Sequence, residues 1–206
     1  MATKINLNEP LCILITLLGK VIKHLENPAQ KSYHETNKFI GEIIMRVAII
    51  MGSTSDLPKV EPAVTILKEY GVTVDVRCLS AHRAHKGLSD FIEETKNNGT
   101  EVIIAAAGMA AALPGVVASQ TVLPVIGVPL SGSVLDGTDA LLSIVQMPPG
   151  IPVATVAING GKNAAYLALQ IIGINHKEVK EKLLAHRVTM EEDAMRTNEE
   201  VIAKFS

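Results

Sequence analysis

The sequence has few aromatic residues, few cysteines and a low density of charge. It contains no tryptophan, three tyrosines and three phenylalanines, so it lacks the aromatic side chains on which single-stranded nucleic acids stack. Its 19 Lys and Arg residues and 21 Asp and Glu residues give a formal net charge of −2, and no run rich in Lys or Arg appears. A nucleic acid or an anionic membrane surface is therefore not the expected partner.

Cysteine motifs and long apolar segments are also missing. The two cysteines, Cys12 and Cys78, lie far apart and form no Cys-x-x-Cys motif, which indicates neither a disulfide framework nor a zinc site. No stretch approaches the run of about 18 apolar residues that a membrane-spanning helix needs. We therefore expect a protein of the reducing cytoplasm, with no bound metal and no membrane span.

The first 45 residues differ from the rest of the chain. An apolar run at 11–18 follows both Lys4 and Glu9, and no small-residue cleavage site comes after it, so it does not match a secretory signal peptide. Residues 1–45 are interpreted as an extension of unknown role, either an amphipathic helix packed on the body or an appendage. A third interpretation is that Met45 is the natural start, because a strand is predicted directly after it.

From Arg46 onward, short apolar runs alternate with helical patterns. This alternation predicts an α/β fold, in which βαβ units cover a parallel sheet with helices on both faces. We expect one three-layer domain at 46–173, an open parallel sheet of about five strands of the flavodoxin or Rossmann type. A charged helical tail at 174–206 should pack outside the sheet or on a neighbouring subunit. The predicted strands are 47–51, 72–79, 102–107, 122–129 and 153–158, and the predicted helices include 110–119, 138–146 and 162–173.

The loops after the strands hold the candidate site, because ligands of open parallel sheets bind beyond the carboxyl ends of the strands. The first loop, 52–56, reads Gly-Ser-Thr-Ser-Asp. Its glycine allows close approach of the backbone, the next helix offers free N–H groups to a phosphate, and Ser53 and Ser55 add hydroxyl donors. Asp56 is interpreted either as an acceptor for ribose hydroxyls or as a helix cap. The loop is neither a Walker motif nor Gly-x-Gly-x-x-Gly, which disfavours an NTP or a dinucleotide.

Two further loops contribute reactive side chains or small residues to the candidate site. The second, 80–85, contains Arg83, whose guanidinium can bind a phosphate through several N–H donors. It also contains His82 and His85, and histidine is the side chain best suited to proton transfer near pH 7. The third loop, 108–115, is rich in small residues, which suit a planar ligand near a helix N-terminus and a tight helix–sheet contact equally well.

The loops after the fourth and fifth predicted strands, 131–136 and 159–163, are glycine-rich and polar. Taken together, the five loops predict a site for a small phosphorylated molecule with a histidine proton carrier. The residues by themselves identify no reaction.

Five ordered motifs carry a resemblance to a known family. They are GSTSD at 52–56, SAHR at 80–83, AAAGMAAALPG at 105–115, LPVIGVP at 123–129 and SIVQMPPGIPVATVAI at 143–158. On these motifs the chain resembles the N5-carboxyaminoimidazole ribonucleotide mutase family of purine biosynthesis, in its class I form related to phosphoribosylaminoimidazole carboxylase catalytic subunits. The resemblance runs from about Arg46 to the C-terminal helices, and residues 1–45 have no counterpart in it.

The resemblance implies a reaction and a set of roles. The family moves a carboxylate from the exocyclic nitrogen N5 to ring carbon C4 of its substrate, by decarboxylation, trapping of CO2 and recarboxylation, with no cofactor. The implied substrate is a phosphoribosyl aminoimidazole, the implied assembly is a homo-octamer, and His82 is the implied proton carrier. The implied substrate-binding residues are Ser53, Ser55 and Asp56 at the ribose phosphate end, Arg83 on the phosphate, Ser80 and Ala81 along the substrate, and Gly108, Ala110, Ala111, Ala112 and Leu113 around the aminoimidazole and its carboxylate.

Two of the motifs depart from the family pattern. Ala84 and His85 follow SAHR where the family usually has Thr-Pro, Met109 replaces a small residue, and Ala112 stands where a His usually precedes Leu-Pro-Gly. A second class of the family, which carboxylates the aminoimidazole ribonucleotide directly with CO2, has an Arg-Ser-Asn-like segment that residues 109–111 do not match. The mutase is therefore the preferred interpretation. One alternative, which the Ala112 departure keeps open, is an enzyme that carboxylates aminoimidazole ribonucleotide or another nucleotide-like heterocycle directly with CO2. The other is a non-enzymatic module that binds phosphoribosyl ligands.

Overall fold

The computed structural model of the chain describes residues 44–206. Strands and helices alternate in them, with one 3-10 turn after the first strand. The strands are β1 (Arg46–Met51), β2 (Thr73–Cys78), β3 (Thr100–Gly108), β4 (Val125–Leu130) and β5 (Ala154–Thr155). The helices are α1 (Leu57–Glu69), α2 (His85–Asn97), α3 (Ala112–Ala118), α4 (Thr138–Val145), α5 (Gly161–Ile172) and α6 (Lys177–Phe205). The expectations for residues 1–43 lie outside the described residues.

The strands form one parallel sheet in the order β2-β1-β3-β4-β5. This is the order of flavodoxin-like folds, in which the chain first builds one side of β1 and then returns to build the other. The predicted α/β fold with an open parallel sheet of about five strands is confirmed. The order also sets the carboxyl ends of β1 and β3 side by side at the centre of the sheet, where such folds bind their ligands.

Two apolar layers hold the helices to the sheet. Alternate residues of a strand point to opposite faces. In β1, Val47 and Ile49 join the layer under α1 and α5, whereas Ala48 and Ile50 join the layer under α2, α3 and α4. All four side chains are fully buried. Burial on both faces explains why this strand reads as a continuous apolar run in the sequence.

The fourth strand is shorter than predicted at its start. It begins at Val125 and not at 122, because Val122 is fully exposed and Pro124 has no N–H to give to the sheet. Pro124 approaches β3 only through its carbonyl, which accepts a hydrogen bond from Ile103 N at 3.0 Å. The three residues before Val125 therefore lead into the sheet without belonging to it.

The fifth strand is shorter than predicted at both ends. It spans Ala154–Thr155 and not 153–158, because within residues 44–206 it lies at the edge of the sheet and pairs with β4 alone. The chain still follows β4 for a short distance, since Val156 N donates to Gly127 O at 3.1 Å. Most residues of 153–158 therefore lie beside the edge of the sheet without forming strand pairs.

The last helix, α6, packs on α5 along its first part. The His186 ring stacks on Tyr166 of α5 with centroids 5.0 Å apart, and Val179 is fully buried. Just before the helix, His176 Nε2 lies 3.0 Å from Glu101 Oε2. From Arg187 onward every residue is exposed, so the tail lies outside the sheet, as predicted. No helix among residues 44–206 is both long and apolar enough to span a membrane.

Candidate functional site

A cavity of about 500 Å³ opens at the carboxyl edge of the sheet, where the loops after β1, β2, β3 and β4 meet. Of the residues selected from the sequence, those that line it are Ser53, Ser55, Asp56, Ser80, Ala81, His82, Arg83, Gly108, Ala111, Ala112 and Leu113. Ala110 is the exception, since it is exposed and does not line the cavity. The fold therefore brings three separate sequence motifs to one place.

The loop after β1 is ordered by hydrogen bonds within itself. Ser53 N donates to Asp56 Oδ2 at 3.1 Å, and Ser55 N donates to Ser53 Oγ at 3.3 Å, as part of a capping box around the turn Thr54–Asp56. The Ser55 hydroxyl donates to Ser53 Oγ at 2.8 Å. Both hydroxyls are thus held beside the N-terminus of α1, whose dipole stabilises a bound anion.

The Asp56 carboxylate is partly shielded from water. Burial raises the pKa of Asp56 above its ordinary value, while the hydrogen bond from Ser53 N and the positive charge of Lys59 act to lower it. Among the described residues, only its Oδ2 atom accepts a hydrogen bond, so Oδ1 is left for a ligand. Among the described residues, the Asp56 side chain caps no N–H of α1, so the helix-cap interpretation is wrong; its Oδ2 instead closes the capping box of the turn Thr54–Asp56. The ribose-acceptor interpretation stays a prediction.

The loop after β2 is a tight turn. Arg83 N and Ala84 N both donate to Ser80 O, at 3.2 and 2.9 Å, and Arg83 Nε donates to Ser80 Oγ at 3.4 Å. The turn leaves the side chains of His82 and Arg83 exposed at the edge of the cavity, with Ala81 buried beside them. Most N–H donors of the guanidinium remain free to bind an anion.

The loop after β3 is shaped by its backbone. Met109 and Ala111 have φ angles of +56° and +27°, in a region that residues other than glycine rarely adopt. Ala111 N donates to Gly108 O at 3.1 Å, which closes a turn, and α3 then begins at Ala112 without a side-chain cap. This turn is the reason that the third helix starts at Ala112 and not at 110 as predicted.

Some residues that line the cavity were not among those selected from the sequence. Lys59 of α1 lines the cavity, as do Ser131, Gly132 and Ser133 after β4. The polar loop at 131–136 follows a predicted strand, and that position is the signal that places it at this edge. No motif marks Lys59, because its direction depends on how α1 packs on the sheet.

The cavity has two chemically different sides. We call the lining residues within 52–59, 80–83 and 131–133 the polar side, and the lining residues within 107–113 the apolar side. The polar side supplies hydroxyls, a carboxylate, an imidazole, a guanidinium and an ammonium, which suit a phosphate, ribose hydroxyls and proton transfer. Among residues 44–206, no three His, Cys, Asp or Glu side chains form a group that could hold a metal ion.

A protein-family model described as AIR carboxylase matches residues 46–193. The match begins at the first residue of β1 and ends within α6, so it includes every loop of the cavity. The chain belongs to the AIR carboxylase family. This confirms the family that the five motifs of the sequence resemble.

Relatives within the AIR carboxylase family bear two kinds of name. The chain is 54% identical over 157 residues to the N5-carboxyaminoimidazole ribonucleotide mutase of Pyrococcus horikoshii, covering 74% of this chain and 89% of that protein. It is 49% identical over 158 residues to the phosphoribosylaminoimidazole carboxylase of Saccharomyces cerevisiae, covering 77% of this chain and 26% of the yeast protein. The archaeal name agrees with the activity that the resemblance implies, and the yeast name with its alternative.

A solved structure supports the same membership. PurE of Treponema denticola matches this chain with a TM-score of 0.66 and 30% sequence identity. The match covers 75% of this chain and 94% of that one. The unmatched quarter of this chain is about as long as the segment before β1. The matched three quarters are about as long as the α/β domain together with its C-terminal tail.

Proposed function

We propose that this chain is an N5-carboxyaminoimidazole ribonucleotide mutase, which converts its substrate to 4-carboxyaminoimidazole ribonucleotide. One observation carries the proposal: the serine-rich loop, the His82–Arg83 turn and the small-residue loop all line a single cavity. The high identity to an archaeal protein of this name supports it.

The polar side of the cavity binds the ribose phosphate. The Ser53 and Ser55 hydroxyls and the Arg83 guanidinium hold the phosphate, and the charged donor makes the strongest of these hydrogen bonds. Asp56 Oδ1 accepts from the ribose hydroxyls, while Oδ2 stays on the N–H of Ser53. Substrate affinity therefore depends mainly on this side.

The apolar side encloses the aminoimidazole ring and its carboxylate. Its small side chains compete little for hydrogen bonds and leave room for a planar ring. A dry pocket of this kind keeps released CO2 beside the ring carbon, which makes its recapture an intramolecular event. The residues in this part of the proposal are Gly108, Ala111, Ala112 and Leu113, with Ser80 and Ala81 along the substrate.

His82 carries the proton of the reaction. As the bond between N5 and the carboxylate carbon breaks, CO2 leaves and the nitrogen takes up a proton. Ring carbon C4 is an enamine-like nucleophile, and it then attacks the trapped CO2 and loses its own proton. An imidazole can give the first proton and accept the second near pH 7, so His82 ends in the state in which it began.

A direct carboxylase of aminoimidazole ribonucleotide is the second candidate, and the departure at one residue keeps it open. Ala112, the first residue of α3, lines the cavity where the resemblance expects a histidine. The contact of that histidine with the substrate is therefore missing here. The yeast relative named as a carboxylase is consistent with this alternative.

Two assays on the purified protein separate the candidates. Turnover of N5-carboxyaminoimidazole ribonucleotide without added bicarbonate is the expected result and identifies the mutase. Turnover of aminoimidazole ribonucleotide that requires bicarbonate would instead identify the direct carboxylase. Binding of both compounds with no turnover of either would identify a phosphoribosyl-binding module.

The enzyme acts as a homo-oligomer in the cytoplasm, and the resemblance implies an octamer. The exposed apolar residues of α6 support an assembly, since their burial against another copy would be favourable. Native mass spectrometry should give eight copies, and a monomer at all concentrations would contradict the proposal. The large apolar side chains concerned are Leu184, Val188, Met195, Ile202 and Phe205.

Residues 46–173 form the catalytic domain, 174–206 a helical tail, and 1–45 an extension with no catalytic role. The family match and the cavity lining both lie after Met45. A chain without residues 1–44 should therefore fold and keep its mutase turnover. Circular dichroism and the mutase assay check this, and insoluble or inactive protein would show that the extension is structural.

A further inference from the structure

Lys59 occupies a position that the proposed reaction does not yet use. It lies in the first turn of α1, three residues after Asp56, and its half-buried side chain lines the cavity. Its ammonium group donates a hydrogen bond to Ser131 O at 2.6 Å. An ammonium has three N–H donors, and among the described residues this is the one hydrogen bond that it makes, so two donors remain.

Ser131, which accepts this bond, is itself fixed by two hydrogen bonds with Asn159. Ser131 N donates to Asn159 Oδ1 at 3.1 Å, and Asn159 Nδ2 donates to Ser131 Oγ at 2.8 Å. Lys59 thereby joins α1 to the loops after β4 and β5. Its backbone is also fixed, because a Cβ atom on Gly161 of α5 would lie 2.5 Å from Lys59 O. Only a glycine permits this close approach of the two helices.

The interaction of Lys59 with Asp56 is electrostatic. The positive charge of Lys59 lowers the pKa of Asp56 and so opposes the effect of burial. The attraction acts through space, because the ammonium is hydrogen-bonded to Ser131 rather than to the carboxylate. Across the cavity, the other titratable or charged side chains are His82 and Arg83 of the loop after β2, and the loop segment 131–133 contributes none.

We propose that Lys59 is a positioning residue for the substrate site, acting through the Asp56 carboxylate and through the backbone of Ser131. It keeps Asp56 able to accept two hydrogen bonds from a diol, and it fixes the wall of the cavity formed by the loop after β4. Lys59 does not touch the reacting atoms in this arrangement. The diol is the ribose of the substrate, and in this respect the inference rests on the proposed function.

The test combines a titration of the free protein with a pH profile. Carboxyl carbon NMR of ligand-free protein, with Asp56 assigned from the spectrum of Asp56→Asn, gives the pKa of Asp56 directly. Lys59→Met removes the positive charge and should raise this pKa, whereas Lys59→Arg should restore it. Lys68→Met, at the exposed end of the same helix, is the matched control and should leave the Asp56 titration unchanged.

Catalysis provides the second readout. Since Asp56 must be ionised to accept from the ribose, the acid limb of kcat/KM should move to higher pH in Lys59→Met, mainly through KM, and return in Lys59→Arg. An unchanged Asp56 titration in Lys59→Met, or a change in kcat with no change in KM, would overturn the inference. If the wild-type protein has no mutase activity, the proposed function fails, but the NMR titration still decides the role of Lys59 at Asp56.

Discussion

The polar and apolar sides of the cavity reach their shapes by different physical means. On the polar side, side chains are held by hydrogen bonds and charge, as in the capping box of Ser53 with Asp56 and the contact of Lys59 with the loop after β4. On the apolar side, the shape comes from the positive φ angles of Met109 and Ala111, and the helix that follows has no side-chain cap. One side is therefore organised to bind charge, and the other to leave an uncharged space.

This difference separates the two tasks of the proposed enzyme. Donors and acceptors at fixed positions bind the ribose phosphate about equally in the ground state and the transition state, which lowers KM without raising kcat. On the apolar side, the proposed role of the small space is to hold CO2 near the ring carbon. Its shape should therefore affect kcat, the constant of the chemical step. Substitutions on the two sides should therefore change different kinetic constants, and His82, the proposed proton carrier beside Arg83, should be the exception on the polar side.

The largest expected effect is that of His82→Asn. Removal of the proposed proton carrier should lower kcat at least about a hundredfold, the usual contribution of a general acid–base. KM should change little, and the fold should be kept because the side chain is exposed. Steady-state kinetics and circular dichroism check this.

The control for that variant is His85→Ala. His85 is exposed, begins α2 and does not line the cavity, so its loss should cost less than about tenfold in kcat, well below the worth of a proton carrier. If His82→Asn kept wild-type turnover while His85→Ala abolished it, the two roles would be reversed.

Arg83→Ala should have the next largest effect, on KM. A hydrogen bond from a charged donor contributes about 1.5–3 kcal/mol, so its loss should raise KM roughly 10- to 100-fold. Because the phosphate is far from the reacting atoms, kcat should be kept. Lys86→Ala removes an exposed cation that pairs with Asp90 outside the cavity, and should change neither constant. A collapse of kcat at unchanged KM would contradict the phosphate assignment.

Ala112→His tests the apolar side by adding a polar group to it. If this pocket otherwise follows the family, the imidazole should tighten binding of the carboxylated ligand by up to about tenfold, the worth of one hydrogen bond. Calorimetric titration with 4-carboxyaminoimidazole ribonucleotide measures it. Ala110→His is the matched control, since Ala110 does not line the cavity. Equal effects of the two variants would show that charge near the entrance, rather than the contact, is responsible.

Met109→Gly should have the smallest effect, and thermal stability is the property that should report it. A positive φ costs a non-glycine residue about 1–2 kcal/mol, and Met109 is 67% exposed, so little packing is lost with its side chain. The greater loss of backbone entropy by glycine on folding offsets about 0.5–1 kcal/mol of this gain, so the Tm should rise by about 2–4 °C. Met190→Gly, at an exposed helical position of α6, should instead be destabilising. A lower Tm for Met109→Gly would show that the side chain makes a stabilising contact.

The parts of the fold that follow from local pattern could be predicted. Each central strand is a continuous apolar run because both of its faces are buried, and this property is visible in the residues alone. The ends of β4 and β5 were less predictable. They depend on which residues find a hydrogen-bonding neighbour, and an edge strand has a neighbour on one side only.

The same distinction applies to the candidate site. The serine-rich loop, the SAHR turn and the small-residue loop each follow a strand, so their meeting at the carboxyl edge of a parallel sheet could be predicted from the sequence. The contact between Lys59 and Ser131 could not. They are 72 residues apart, and their contact depends on the packing angle of α1 and on a loop that Asn159 fixes from a third position in the chain. Local sequence encodes strands, turns and caps through short-range sterics and hydrogen bonds, whereas a contact between distant side chains exists only after the sheet and its helices have packed.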